Sequence, residues 1–169
     1  APVPWQQTND VHLSPKAKYL ASAGDHYETI VWNRQAGQPV AKFESMGARE
    51  GIIEFSPDSK LILSNAPPLD NETHYESLNV WNFEAGTLAR MLPHPYSISA
   101  ATFSEDGRYI LTGTVCCRNE DMNSSTSIFE KCDDLGSDRV ILLWDLASGK
   151  VLKRFFGPIA KTTALTFSE

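Results

Sequence analysis

Short apolar segments separated by polar turns recur along the chain at similar intervals. Four of them end in a large apolar residue followed by Ser, at Leu13, Phe55, Phe103 and Phe167. A second landmark follows the first three segments: a Trp, then Asn or Asp, and a Gly five residues after the Trp, with the indoles at Trp32, Trp81 and Trp144. Self-similarity of this kind is typical of a repeat architecture. The chain is therefore predicted to consist of repeated structural units.

The third unit predicts four β-strands joined by turns. The segments ISAATF at 98–103 and RYILTGT at 108–114 flank a tight SEDG turn, in which Gly107 is free to take a positive φ. RVILLWD at 139–145 is rich in apolar and β-branched residues, and VLKRF at 151–155 alternates apolar with polar positions. The first two units follow the same order, and no long segment has a helical period. The predicted fold class is all-β.

These landmarks resemble those of the WD-repeat family, whose unit is one blade of a β-propeller. The resemblance covers about residues 10 to 169. It implies a propeller segment of tandem four-stranded antiparallel blades at about 10–43, 51–92 and 98–155, with the first strand of a fourth blade at 162–167. Propellers close with about four to eight blades, so an incomplete ring is expected. The remaining blades are expected in a longer chain or, alternatively, in a second chain or further copies.

The resemblance also implies a buried hydrogen-bond chain in the third unit. His94 and Asp138 lie at the spacings where the family carries its His and Asp, and Asp138 is six residues before Trp144. Thr112 stands at the position of the family's strand-two hydroxyl. The first two units lack this His. Although His, Asp and a hydroxyl could form a catalytic relay, a structural role that satisfies buried polar atoms is favoured.

The predicted connections are short on one face and long on the other. Between the second and third strands they grow from 24–28 through 65–77 to 115–137. Long loops in a compact fold are usually functional or disordered, so the face that carries them is the candidate binding surface. Its candidate contact residues mix charged with aromatic and apolar side chains, as interfaces do: Asp70, Glu72, His74, Tyr75, Arg118, Met122, Phe129 and Lys131.

All three cysteines, Cys116, Cys117 and Cys132, lie in the longest of these connections. A metal site is disfavoured, because three thiols need a fourth ligand and no CxxC or HxxxH spacing occurs nearby. In an oxidising compartment a disulfide between Cys132 and either Cys116 or Cys117 is favoured, and in the cytosol free thiols. Asn71 and Asn123 match the N-glycosylation pattern, which is a weak indication of secretion.

The net charge of the chain is −6, from 15 basic and 21 acidic residues. A nucleic-acid partner is not expected, because that affinity depends largely on a basic surface. No apolar run approaches the length that spans a membrane, so no membrane partner is expected. No phosphate-cradling loop, GxSxG elbow or HExxH motif is present, and no cofactor is expected.

These features predict a protein–protein interaction scaffold, and not an enzyme, which presents its long loops to a protein or peptide. Two alternatives from other classes stay open. One is an enzyme whose active site lies in the central channel of the propeller or in another domain of a longer chain. The other is a sensory or regulatory module fused to a catalytic domain. Propellers host many functions, so the fold alone does not decide between them.

Overall fold

The computed structural model describes residues 8–24, 28–44, 52–66, 76–94, 97–115, 140–156 and 162–168. Within these ranges the regular structure is β throughout. The strands form three four-stranded antiparallel sheets, which do not close into a ring. The predicted fold class, an all-β series of four-stranded sheets in an incomplete propeller-like arrangement, is confirmed.

Each sheet contains four strands that follow one another in the chain. The first sheet comprises β1 (Thr8–Leu13), β2 (Tyr19–Gly24), β3 (Glu28–Asn33) and β4 (Gln38–Glu44). The second comprises β5 (Ile53–Phe55), β6 (Leu61–Ala66), β7 (Glu76–Asn82) and β8 (Thr87–His94). The third comprises β9 (Ser97–Phe103), β10 (Tyr109–Val115), β11 (Val140–Asp145) and β12 (Lys150–Phe156). Sequential strands pair in every sheet, as antiparallel strands joined by short turns do.

The Ser of the first landmark closes the turn between the first and second strands. The hydroxyl oxygens of Ser14, Ser56 and Ser104 each accept a hydrogen bond from the backbone N–H five residues later, at 2.9 to 3.0 Å. The backbone N–H of the same Ser donates to the carbonyl of that later residue. A side chain that binds nearby backbone groups favours a turn over a continuing strand. This local bonding explains why the Ser recurs in the sequence.

The Asn or Asp of the second landmark caps the turn between the third and fourth strands. The side-chain oxygens of Asn33, Asn82 and Asp145 accept hydrogen bonds from backbone N–H groups two or three residues later, at 2.7 to 3.1 Å. The hydroxyl and the N–H of Ser148 lower the pKa of Asp145 by bonding to its carboxylate. The Gly that ends each of these turns has a φ of 63° to 69°, which glycine adopts without strain.

The three sheets pack face to face, with their first strands as neighbours: β1 contacts β5, and β5 contacts β9. One apolar cluster lies between the first and second sheets and contains Tyr19, Ala21, Ala23, Val31, Ile53, Phe55, Ile62 and Phe83. Another lies between the second and third sheets and contains Ile52, Leu63, Leu78, Val80, Leu92, Ile98, Phe103, Ile110, Leu142 and Trp144. The second sheet is therefore covered on both faces.

The segment 162–168, for which the sequence predicts a strand over 162–167, forms no β-ladder with any described strand. In all three sheets the first strand pairs only with the second strand of its own unit, and the described residues include no strand after this segment. It nevertheless lies against the third sheet. A Cβ atom built on Gly113 of β10 would be 2.8 Å from the Cβ of Thr162, so the chain passes directly over β10 there.

The turns after β1 and β9 permit a reciprocal test of backbone strain. Ala17 and Gly107 occupy equivalent turn positions, with φ values of 51° and 68°. We expect Ala17→Gly to raise the free energy of unfolding by about 1 kcal/mol and Gly107→Ala to lower it by a similar amount, because a side chain is strained at positive φ. The nearest atom to a Cβ on Gly107 is Pro57 Cδ, at 3.8 Å, so crowding does not contribute. Urea denaturation measures both changes, and shifts of the same sign would contradict this explanation.

Candidate functional site

Short turns and long connections lie at opposite ends of the strands. The turns at 14–18, 34–37, 56–60, 83–86, 104–108 and 146–149 join the strands at one end of each sheet. The connections between second and third strands leave from the other end, at 25–27, 67–75 and 116–139. The strand bounds therefore show the same progressive lengthening as the sequence. The elaborated end of the sheets is the candidate site.

The eight candidate contact residues fall in two of these connections. The connection between β6 and β7 contains Asp70, Glu72, His74 and Tyr75. The connection between β10 and β11 contains Arg118, Met122, Phe129 and Lys131. All eight lie outside the described residues, as do Asp138, Asn71, Asn123 and the three cysteines, so the predictions that concern them stay predictions. The structure does describe the strands that hold both connections.

Three of the four residues of the expected hydrogen-bond chain are described, and they are bonded to one another. His94, the last residue of β8, places Nε2 2.8 Å from Oγ1 of Thr112 on β10. Trp144 Nε1 on β11 donates to the same oxygen at 3.0 Å. His94 Nδ1 lies 2.8 Å from the carbonyl oxygen of Leu92. Because a carbonyl can only accept, Nδ1 carries the proton, and the Thr112 hydroxyl donates to Nε2.

Burial decides the charge of His94, which is 1% exposed. Loss of hydration lowers the pKa of His94 to about 4, although the hydrogen bond to the Leu92 carbonyl acts in the opposite direction. The imidazole is therefore neutral at neutral pH. The ring is shielded from solvent, and both of its nitrogens are engaged by Leu92 and Thr112. Its role in this structure is to join the second sheet to the third.

Thr114 fixes the base of the longest connection, 116–139. Its buried hydroxyl donates to the carbonyl of Val140 at 3.1 Å and accepts from the Val140 N–H at 3.2 Å. The last backbone register pair before this point joins Gly113 to Ile141. The side chain of Thr114 thus extends the β10–β11 pairing to the point where the connection begins.

The hydroxyl–indole pair differs among the three sheets. In the first sheet Trp32 Nε1 donates to Ser22 Oγ at 3.0 Å, as Trp144 does to Thr112 in the third. At the equivalent positions of the second sheet, as far as the chain is described, neither Ser64 Oγ nor Trp81 Nε1 has a hydrogen-bond partner, and both are buried. Trp81 instead stacks on Phe43 of β4, with ring centres 5.0 Å apart and planes at 17°. Aromatic packing replaces the polar contact at this interface.

Sequence reasoning missed a further contact between sheets, made by Glu54 on β5. Its carboxylate accepts hydrogen bonds from the Phe103 N–H and the Thr102 hydroxyl on β9, both at 2.9 Å. Partial burial raises the pKa of Glu54, although these two bonds and the nearby His12 act to lower it. His12, Glu54 and Thr102 each directly precede the last residue of a first strand. In the sequence, the contact is indicated by Glu54 itself, a polar residue one position before the end of β5 and flanked by the apolar Ile53 and Phe55.

Comparison with known proteins finds no family model and no curated protein sequence that matches this chain. Within the described ranges, no group of three or more His, Cys, Asp or Glu residues is arranged to hold a metal ion. No helix in the same ranges is long and apolar enough to cross a membrane. The function is therefore inferred from the geometry of the sheets and their connections.

The hydroxyl of Thr112 is the central member of the bonded chain, and Thr112→Val removes it with little change of shape. Two buried nitrogen atoms then lose a partner, so we expect the free energy of unfolding to fall by about 2–4 kcal/mol. Ser64→Ala is the matched control. It removes a buried hydroxyl with no partner in the described residues, so it should leave the free energy of unfolding unchanged or raise it by up to about 3 kcal/mol. Equal losses in urea denaturation would show that the bonded chain contributes nothing specific.

His94 should make stability depend on pH. Its pKa in the folded chain is about 4, below the ordinary 6.5, so between these values the unfolded chain binds a proton that the folded chain does not. The contribution of the neutral His94 imidazole to the free energy of unfolding is complete above about pH 6.5. It is lost as the pH falls towards 4, by at most about 1.4 kcal/mol per pH unit. The stability difference between the wild type and His94→Gln, measured from pH 7 to 5, should shrink accordingly. A difference independent of pH would contradict a buried neutral imidazole.

Proposed function

We propose that this chain is a segment of a WD-repeat β-propeller that binds a protein or peptide through the connections 67–75 and 116–139. The observation that carries the proposal is the asymmetry of the strand connections: every turn at one end is short, and at the other end the connections lengthen to 116–139. The bonds among His94, Thr112 and Trp144 support the resemblance to the WD-repeat family. The repeated turn caps support it as well.

The mechanism is geometric. Packing of each sheet against the next fixes the strand ends, and the Thr114 hydroxyl holds the base of 116–139 with two hydrogen bonds. A binding segment whose ends are already fixed loses less conformational entropy when a partner docks. The rigid part of the molecule therefore lowers the cost of recognition by the connections.

The composition of the two connections suits protein recognition. Tyr75, Met122, Phe129 and Arg118 are of the types enriched at interface centres. The acidic and basic residues around them, such as Asp70, suit the polar rim of an interface. In this proposal His94 has a structural role, which its burial and its contacts with Leu92 and Thr112 support.

Replacement of residues 116–136 by a short Gly-containing turn tests this function. We expect the trimmed chain to lose most or all of the proteins that the intact chain captures from a cell extract, because the contact residues between β10 and β11 are removed. Quantitative mass spectrometry of the captured proteins measures the loss. The thermal unfolding midpoint should change little, since Thr114 and the β10–β11 pairing remain.

Substitutions at the opposite end of the sheets serve as the matched control. Glu105→Ala with Lys150→Ala alters the exposed short-turn end and should leave capture unchanged. A chain with Tyr75, Met122 and Phe129 replaced by Ser should behave like the trimmed chain. The proposal fails if trimming leaves capture intact, or if the control pair reduces it as much as trimming does.

A further inference from the structure

The third sheet has one face that the second sheet does not cover. We call it the distal face, and it carries Tyr109, Leu111, Leu143 and Phe155. Leu111 and Leu143 are half-buried, whereas the residues at equivalent positions in the first and second sheets are fully buried. Phe155 is 39% exposed, whereas the equivalent Leu92 of the second sheet is 0% exposed. The distal face is thus an apolar surface of the kind that both existing interfaces bury.

Cross-strand register identifies what each distal-face residue matches in the first sheet. Tyr109 is the first residue of β10 and pairs with Asp145, as Tyr19 is the first residue of β2 and pairs with Asn33. By the same criterion Phe155 matches Phe43, since they pair with Ile141 and Thr29 respectively. Arg108 directly precedes Tyr109, as Lys18 precedes Tyr19.

In the first sheet these positions hold the second sheet in place. The Tyr19 hydroxyl donates a hydrogen bond to the carboxylate of Glu84, in the turn after β7. Lys18 Nζ lies 3.7 Å from the same carboxylate and 4.7 Å from the centre of the Tyr19 ring. Phe43 stacks on Trp81. The ammonium of Lys18 and the phenol of Tyr19 on the first sheet thus contact the Glu84 carboxylate of the second sheet. The ring of Phe43 on the first sheet contacts the Trp81 indole of the second.

The third sheet repeats this set, and the second sheet does not. The guanidinium of Arg108 lies 5.4 Å from the centre of the Tyr109 ring, which reproduces the cation–phenol pair of the first sheet. The second sheet contacts the third by another device: Arg90 Nε donates to the carbonyl of Leu146 at 3.2 Å, and Arg90 Nη2 donates to the carbonyl of Ala147. The distal face therefore has the chemistry of the first interface.

Thr162, the first residue of the segment 162–168, lies where the first strand of another sheet would cross β10. Thr162 covers Gly113 of β10, and in the existing interface β5 likewise contacts β2. Phe167 and Ser168 continue the landmark that ends β5 and β9. The contact of Thr162 with Gly113 fixes one point in the alignment of a sheet that packs on the distal face.

We propose that the distal face binds a three-stranded antiparallel sheet that takes 162–168 as its first strand. The bound sheet presents a Trp at the end of its third strand, an aromatic residue two positions later and a carboxylate directly after that residue, as Trp81, Phe83 and Glu84 do. The carboxylate of the bound sheet accepts a hydrogen bond from the Tyr109 hydroxyl and pairs with the guanidinium of Arg108. Its indole stacks on Phe155. This surface is distinct from the connections 67–75 and 116–139.

The uncovered face of a second copy of this chain does not have the required chemistry. Its first sheet presents Trp32, but Arg34 and Gln35 occupy the positions of the aromatic residue and the carboxylate. Arg34 would bring a second cation towards Arg108, and like charges at an interface are unfavourable. The surface therefore selects a sheet that resembles the second sheet of this chain over one that resembles the first.

A second copy of residues 58–94 joined after Glu169 supplies the probe, because Ser168 then precedes it as Ser56 does in the chain. In this extended protein Tyr109→Phe should lower the folding equilibrium constant roughly tenfold, through loss of a hydrogen bond to a carboxylate. In the chain without the extension the same substitution should change it less than about twofold. Tyr19→Phe removes the equivalent hydrogen bond between the first and second sheets, so its effect on the folding equilibrium constant gives the size expected for Tyr109→Phe. Urea unfolding followed by Trp fluorescence measures the folding equilibrium constant of each of these proteins.

The matched control carries Glu84→Ala in the second copy alone. There Tyr109→Phe should have no more effect than in the chain without the extension, because the acceptor is gone. An extension by residues 16–44, with Arg34 and Gln35, should be removed by limited proteolysis while residues 58–94 are retained. The proposal is overturned if Tyr109→Phe acts equally with and without the Glu84 carboxylate, or if proteolysis removes both extensions alike. Neither result would affect partner capture by 67–75 and 116–139.

Discussion

Burial of one sheet face against the next is the interaction on which the rest of this structure depends. The second sheet shows it most clearly, because Ile62 packs towards the first sheet and Leu63 towards the third, and both are fully buried. Leu13 ends β1 as Phe55 ends β5, yet Leu13 is 57% exposed and Phe55 only 5%. Full burial of such a side chain contributes about 1.5–3 kcal/mol. Each additional neighbouring sheet therefore stabilises the one beside it.

The two interfaces between the sheets differ in how their buried polar groups are satisfied. Between the second and third sheets, His94 and Thr112 satisfy one another inside the apolar cluster. Between the first and second, Phe43 stacks on Trp81, and the hydroxyl of Ser64 is buried without a partner among the described residues. A buried polar atom without a partner costs about 1–3 kcal/mol, so aromatic stacking at this interface has to offset that cost. The two interfaces reach the same packing by different chemistry.

The sequence predicts the elements whose causes are local. Ser14, Ser56 and Ser104 close turns with their own neighbours, and these turns fix where the strands begin and end, so the landmarks locate all three sheets. The hydrogen-bonded positions of His94, Thr112 and Trp144 follow from the WD-repeat resemblance. Glu54 is different, because its partners on β9 lie far along the chain and only the packing of β5 beside β9 brings them together.

The same distinction explains two other outcomes. Trp81 stacks on Phe43, a residue of the preceding sheet, and its indole has no hydrogen-bond partner among the described residues. No pattern within the second unit indicates either feature. The segment 162–168 has the composition of a strand, but a strand exists only with a partner, and the described residues supply none. In both cases the local sequence defines which structure or contact a segment can form, and a neighbouring sheet or strand determines whether it forms.

The bonded chain through His94 also has a consequence for the candidate binding surface. His94 pairs across strands with Glu76, the first residue after the connection 67–75, and its imidazole reaches Thr112, two residues before Thr114 at the base of 116–139. The two long connections rise from different sheets, yet one buried hydrogen bond of 2.8 Å joins β8, which pairs with β7, to β10. In the proposed function, a partner that contacts both connections would meet strand ends whose spacing is set before binding. That spacing is a property of the interface between the sheets, so under this proposal core packing would act on recognition.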